Sequence, residues 1–218
     1  MTQQNNPAII DTGAPWTHRW CALLPGQKEE VLIQAYNRLR HRYAEPHRAY
    51  HTFEHIKACL NHLDRNWTSA KEPILIELAL WYHDTIYDPR APDNEDRSAQ
   101  LAVQELASLG VLNNDLARIK RLIEVTKHPS EPEDEDEALL LDIDLAILGA
   151  PEQHYDRYEA DVRKEYSWVP WSLYCQGRGK LLISFLEQPA LFRTVHFAAS
   201  HEEQARANLR RAISTLGK

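Results

Sequence analysis

The residues best suited to chemistry are the histidines and the aspartates near them; eleven histidines occur in 218 residues. His83 and Asp84 stand side by side in Trp81-Tyr82-His83-Asp84, at the close of an apolar run that begins at Ile74. A neutral imidazole and a carboxylate at one point can ligate a hard or borderline divalent cation. Adjacent residues on a regular helix point about 100° apart, so both reach one centre only at a helix end. Pro89 supplies such an end. Alone the dipeptide carries little; its place in the order of the chain carries more. Upstream, Tyr50-His51-Thr52-Phe53-Glu54-His55-Ile56 puts His55 at the start of an apolar helix. Downstream, Asp142 and Asp144 lie inside the apolar stretch Leu139–Leu148. A carboxylate buried there without a partner would cost several kcal/mol, so a metal ion or a buried Arg or Lys must compensate it.

The elements that position these groups are helical. Val31, Leu32, Ala35, Tyr36, Leu39 and Tyr43 make one stripe of helical period. Phe53, Ile56, Cys59, Leu60 and Leu63 make a second, with Thr52 as N-cap. Pro73 suits a first turn, and a helix from about Glu95 to Leu109 should stop at Gly110. Leu116, Ile119, Leu122, Ile123 and Thr126 form the next stripe, ended by Pro129. A helix over Leu139–Leu148, closed by Gly149, follows the charge run Glu131–Glu137, read as a solvated loop. Two or three more helices fill 152–193, and Ala205, Leu209, Ile213 and Leu216 mark the last. No two-residue alternation and no repeat is visible. The expected architecture is a flexible lead-in over residues 1–15 and a single all-α domain over 16–218.

Composition bounds the partners. With 43% hydrophobic and 26% charged residues the chain can bury a sizeable core. A formal net charge of −7 disfavours a surface for duplex nucleic acid. Cys21, Cys59 and Cys175 show no disulfide or zinc spacing and read as reduced thiols. No secretory signal and no run long enough for a bilayer occurs, so a cytoplasmic protein is expected.

The order His…His-Asp…Asp on successive helices resembles the HD superfamily of metal-dependent phosphohydrolases. The resemblance is to its bacterial branch of predicted HD-type enzymes. It is carried by Tyr-His-x-x-x-His-Ile at 50–56, His-Asp-x-x-Tyr at 83–87, Asn-Glu-x-x-Ser-Ala at 94–99 and Asp-x-Asp-Leu-x-Ile-Leu-Gly at 142–149. Arg-x-Glu-Tyr at 163–166, Gly-Arg at 177–178 and Ala-Arg-x-Asn-Leu at 205–209 support it, over roughly residues 28–215.

The resemblance implies an HD-type helical bundle and a metal held by His55, His83, Asp84 and one aspartate of the 142/144 pair. Positions i and i+2 lie about 200° apart on a helix, so the two aspartates cannot share one ion. Asp144 is flanked at i±3 and i±4 by the larger apolar residues and is chosen as the ligand on the deeper face; Asp142 is the alternative. One divalent ion per chain is expected, of Mn, Fe, Co, Ni, Zn or Mg. The implied activity is hydrolysis of a small phosphate ester, nucleotides included, by metal-activated water. Asp84 takes part as ligand. Glu95 is the first candidate for the acid/base group, ahead of Asp88, and His128 for contact with substrate or a weaker second ion. Arg178, Lys127, Arg163 and His51 are candidates for substrate contact, and Tyr158 or Tyr166 for stacking on a base; for the aromatic residues core packing is the preferred role. Two alternatives stand beside this reading: a regulatory module that binds metal or nucleotide without turnover, and an HD-fold di-iron oxygenase, which needs more histidines than this interval supplies.

Overall fold

Among the described residues, ten α-helices are arranged around one contiguous apolar cluster that runs from Trp20 to Leu209. The structure is a computed structural model and describes residues 15–127 and 131–217; no strand occurs among them. The helices are α1 Pro15–Leu23, α2 Glu29–Arg42, α3 Phe53–Asn66, α4 Pro73–Tyr82 and α5 Asn94–Ser108. They continue as α6 Asn113–Glu124, α7 Glu135–Asp144, α8 Glu152–Glu165, α9 Trp171–Glu187 and α10 Val195–Leu216. The all-α class matches the apolar periodicity. The expected lead-in over residues 1–15 falls outside the described residues except for Pro15, which already opens α1.

Local signals explain several helix ends. Thr52 accepts from the Glu54 N–H at the start of α3. Pro73 occupies the first turn of α4, where its missing N–H costs nothing. Gly110, at φ +83°, ends α5 in the left-handed conformation. Helix α4 is buried along nearly its whole length, from Ile76 to Tyr82, which makes it the central post of the fold.

Helix α7 departs from expectation. It begins four residues early, inside the acidic run, and ends at Asp144, with a 3₁₀ turn over Leu145–Gly149 replacing its expected last turn. The run is not simply a solvated loop. Asp134 caps α7 by accepting from the Asp136 and Glu137 N–H groups. Glu137 is buried, with Arg118 and Arg121 donating to it at 2.9–3.0 Å. Asp136 is buried too, accepting from the Lys71 and Glu72 N–H groups before α4. Pairing with basic residues on α6 and loop donors before α4 outweighed solvation.

Candidate metal centre

Helix α3 brings His55 to the centre from its first turn, and α4 delivers His83 and Asp84 where it ends. His83 is the C-cap of α4 and Asp84 follows in a turn closed by the Thr85 N–H on the Tyr82 carbonyl. The turn lets two adjacent side chains face one point. Asp144, the last residue of α7, supplies the fourth group.

The four converge tightly. His55 Nε2 lies 3.2 Å from His83 Nε2, 3.1 Å from Asp144 Oδ1 and 3.5 Å from Asp84 Oδ2. His83 Nε2 lies 3.1 Å from Asp84 Oδ2 and 3.4 Å from Asp144 Oδ1. Donors about 2.1 Å from one ion, in tetrahedral or cis-octahedral arrangement, stand roughly 3.0–3.4 Å apart. His55, His83 and Asp144 therefore fit a divalent cation in both spacing and donor chemistry, and Asp84 stands within 3.5 Å of both imidazoles beside them. The imidazoles are 4% and 1% exposed, whereas the carboxylates of Asp84 and Asp144 are 18% and 17% exposed. Open positions thus face the carboxylate side.

A surrounding layer orients the ligands. His83 Nδ1–H donates to the Leu80 carbonyl at 3.0 Å, leaving Nε2 for the centre in the neutral ring. His55 Nδ1 lies 3.1 Å from the Tyr50 hydroxyl. Arg48, buried, donates to the carbonyls of His51, Asp84 and Thr85 at 2.8–3.0 Å, clasping the two ligand-bearing loops together. Glu165 accepts the N–H groups of Ala49, Tyr50 and His51 at 2.8–2.9 Å. Its other oxygen accepts from Tyr87 and from His51 Nδ1, both at 2.7 Å.

The charges reinforce one another. Burial disfavours charge on His83, but Asp84 and then Asp144 overcome it and raise its pKa well above the usual histidine range. Burial likewise pushes Asp84 up, yet the charges of His83 and His51 hold it well below the carboxylate range. A proton and a cation are thus alternatives for the same pair of carboxylates. Cys59 Sγ lies 3.7 Å from His55 Nε2, but burial and then Asp144 raise its pKa, keeping it a thiol.

The other expected site residues divide. Glu95 is half-buried, and burial, joined by the charge of Asp84 against its own helix N–H, raises its pKa. His51 stacks on Tyr87 at 4.2 Å and leans on Glu165. Lys127 is exposed and paired with Asp96 at 2.6 Å. Arg178 is engaged elsewhere: it donates to Glu159 through two nitrogens and to the Tyr158 hydroxyl at 2.8 Å. Arg163 donates to the carbonyls of Tyr166 and Val169, closing the end of α8. His128 lies outside the described residues. Asp88 accepts from the Arg90 N–H in a local turn. Of the aromatic residues, Trp20 and Trp81 pack in the core, while Trp168 and Trp171 stay exposed.

Asp144 rather than Asp142 meets the histidines, though not because its face is deeper. Asp142 is the more buried, at 1% exposure, and its oxygens accept from the Arg193 and Thr194 N–H groups and the Thr194 hydroxyl. Sequence reading gave no role to Glu165, Arg48 or Tyr50. Glu165 and Tyr50 lie within noted motifs, but nothing local marks a carboxylate that holds a loop more than a hundred residues away.

Compared with protein-family models, with curated proteins and with solved structures, the chain matches none. Among the described residues no helix is long and apolar enough to cross a membrane.

Proposed function

We propose that the chain is a metal-dependent phosphohydrolase of the HD type, acting in the cytosol on a small phosphate ester, nucleotides among them. The observation that supports this is the convergence of His55, His83, Asp84 and Asp144 from three helices in the order the resemblance requires. One divalent cation per chain, of Mn, Fe, Co, Ni, Zn or Mg, would supply Lewis acidity there, lowering the pKa of water and neutralising phosphoryl charge.

The chain's own residues take the remaining tasks. Glu95, with its raised pKa, keeps a proton closer to neutrality than an ordinary glutamate and donates it to the leaving oxygen. His51, fixed by Glu165 at Nδ1, holds a substrate oxygen through its other nitrogen. Tyr50 and Tyr158, with ring centroids 4.5 Å apart, wall the pocket and keep water from the back of His55.

Metal analysis of the purified protein, followed by a metal-supplemented screen of phosphate esters, tests the reading. About one cation per chain is expected, with phosphate release that falls to background in His83→Ala and Asp84→Asn while the helical circular dichroism persists. A bound cation without release from any ester would overturn it.

A further inference from the structure

A cavity of about 770 Å³ opens from the metal centre, where His55 and Asp144 line one end. That is room for a drug-sized molecule and far more than inorganic phosphate needs. The rest of the cavity lining carries several basic side chains. On α3, His62 and Arg65 follow His55 on the same side of the helix, seven and ten residues on, or about 10 and 15 Å along the axis. Across the groove, α8 contributes His154 and Arg157. At its end stands His201 of α10, its ring 5.6 Å from that of His62. Gly149 lets α10 come this close: a Cβ there would meet the His201 backbone oxygen at 2.8 Å.

The charge at this end is not neutralised by the protein. The acids on the groove wall are already engaged, Glu54 with Lys57 at 2.6 Å and Asp161 with Lys164 at 2.7 Å. Arg65 and Arg157 are exposed and have no carboxylate partner among the described residues. Arg19, Arg118, Arg178, Arg206 and Arg211 are each paired with acids. Arg42 and Arg210 also have no carboxylate partner among the described residues, but Arg65 and Arg157 share one groove. A guanidinium left open beside a ligand cavity matches a phosphate or carboxylate in its planar fork.

We propose that Arg65 and Arg157 form a second anion-binding subsite, and that the ligand is an elongated molecule with a phosphoryl group at the metal and a second phosphate or carboxylate at this distal end. The hydrolase reading is the frame for this: on it, the substrate is a doubly anionic ester. The middle of such a molecule lies against Ala58, Ala146 and Ile147. His62, pushed down to about 4 by burial and by the neighbouring His201 and Arg65, is neutral there at neutral pH, so the distal positive charge belongs to the arginines.

The test compares two non-hydrolysable probes by calorimetry on the metal-loaded full chain: octane-α,ω-bisphosphonate and ω-hydroxyoctylphosphonate, equal in length but differing in the second charge. The bisphosphonate should bind about tenfold tighter or more, as one or two charge-assisted contacts imply. In the double variant Arg65→Gln, Arg157→Gln the two affinities should become equal, whereas Arg210→Gln, on an exposed arginine outside the groove, should preserve the difference. Equal affinities in the wild type, an undiminished difference in the double variant, or no binding of the bisphosphonate each overturn the inference. An arginine-dependent preference without turnover of any ester would leave the inference standing and remove the hydrolase reading. Turnover without the preference would do the reverse.

Discussion

Replacing Glu165 by alanine should damage the protein more than any other single truncation of a group that never touches the metal. Its side chain is 0% exposed and accepts five hydrogen bonds, three of them from the consecutive N–H groups of Ala49, Tyr50 and His51. Each buried donor left without an acceptor costs about 1–3 kcal/mol. Tyr87 and His51 can turn toward water, and water entering the vacated space recovers part of the rest, which leaves a net loss of about 3–5 kcal/mol. For a chain of this size that lowers the melting temperature by roughly 10 °C. Glu165→Gln keeps a carbonyl for the three N–H groups, so its cost should be nearer 1–2 kcal/mol. The charge adds a pH signature. Burial raises the Glu165 pKa, but the hydrogen bond and charge of His51, with Tyr87 and the Ala49 N–H, bring it down to about 2. A folded-state pKa below the unfolded value gives stability that is present above about pH 4.3 and lost as pH falls through about 2. The gap between wild type and Glu165→Gln should therefore narrow on acidification. The displaced loop carries Tyr50, the partner of His55, so cation affinity in Glu165→Ala should fall about 10–100-fold. Thermal melts at several pH values and metal titration provide the assay. An alanine variant within about 1 kcal/mol of wild type, or one no worse than the glutamine variant, would refute the reasoning.

The two aspartates of α7 should separate cleanly: Asp144→Asn should weaken cation binding, with a loss in the metal-free melt limited to its contacts with the two imidazoles. Asp142→Ala should spare binding but lose about 2–3 kcal/mol, because three donors of the loop opening α10 lose their acceptor; similar binding losses in both variants would contradict this. His62, pushed down to about 4 by burial and then by His201 and Arg65, is neutral in the fold while the unfolded chain takes up a proton near pH 6.5, so stability should decline from pH 6.5 toward 4. His62→Gln should flatten that part of the melting-temperature profile, and an unchanged slope would sink the assignment.

Much of this was legible in the sequence because local physics governs it. Thr52, Pro73 and Gly110 act within a few residues of where they stand, and each lies at the expected helix end. The His83-Asp84 pair was placed at a helix end by the angle between adjacent side chains, and α4 does end there. What could not be read depends on long-range pairing. The buried state of Asp136 and Glu137 requires the Lys71–Glu72 loop and two arginines of α6. Arg178 stands between Gly177 and Gly179, whose lack of side chains leaves space beside it in the sequence, yet its partners sit on the neighbouring α8. Its sequence neighbours left the space open, and tertiary packing filled the fork.

The premise that an acid in an apolar helix needs a cation was incomplete, and the correction sharpens the reading of the centre. Asp136, Asp142 and Glu165 each accept two or three consecutive backbone N–H groups from a loop distant in the sequence, and Glu202 accepts two from the loop just before its own helix. A carboxylate can therefore be compensated largely by main-chain N–H groups, by those alone at Asp136 and with a hydroxyl, an imidazole or a guanidinium beside them at the others. Such acids hold loops, and residue type alone does not distinguish them from metal ligands. What distinguishes Asp84 and Asp144 is the identity of their neighbours: the atoms within hydrogen-bond reach of their inward oxygens are imidazole nitrogens. Two imidazoles meeting nitrogen to nitrogen at 3.2 Å share at most one proton comfortably between them. A single cation would satisfy both lone pairs together with the Asp144 carboxylate, whereas protons can do so only by charging one ring against the other. That asymmetry, rather than the burial of any one aspartate, marks His55, His83 and Asp144 as a group that could hold a metal ion and leaves the more deeply buried Asp142 a loop clamp.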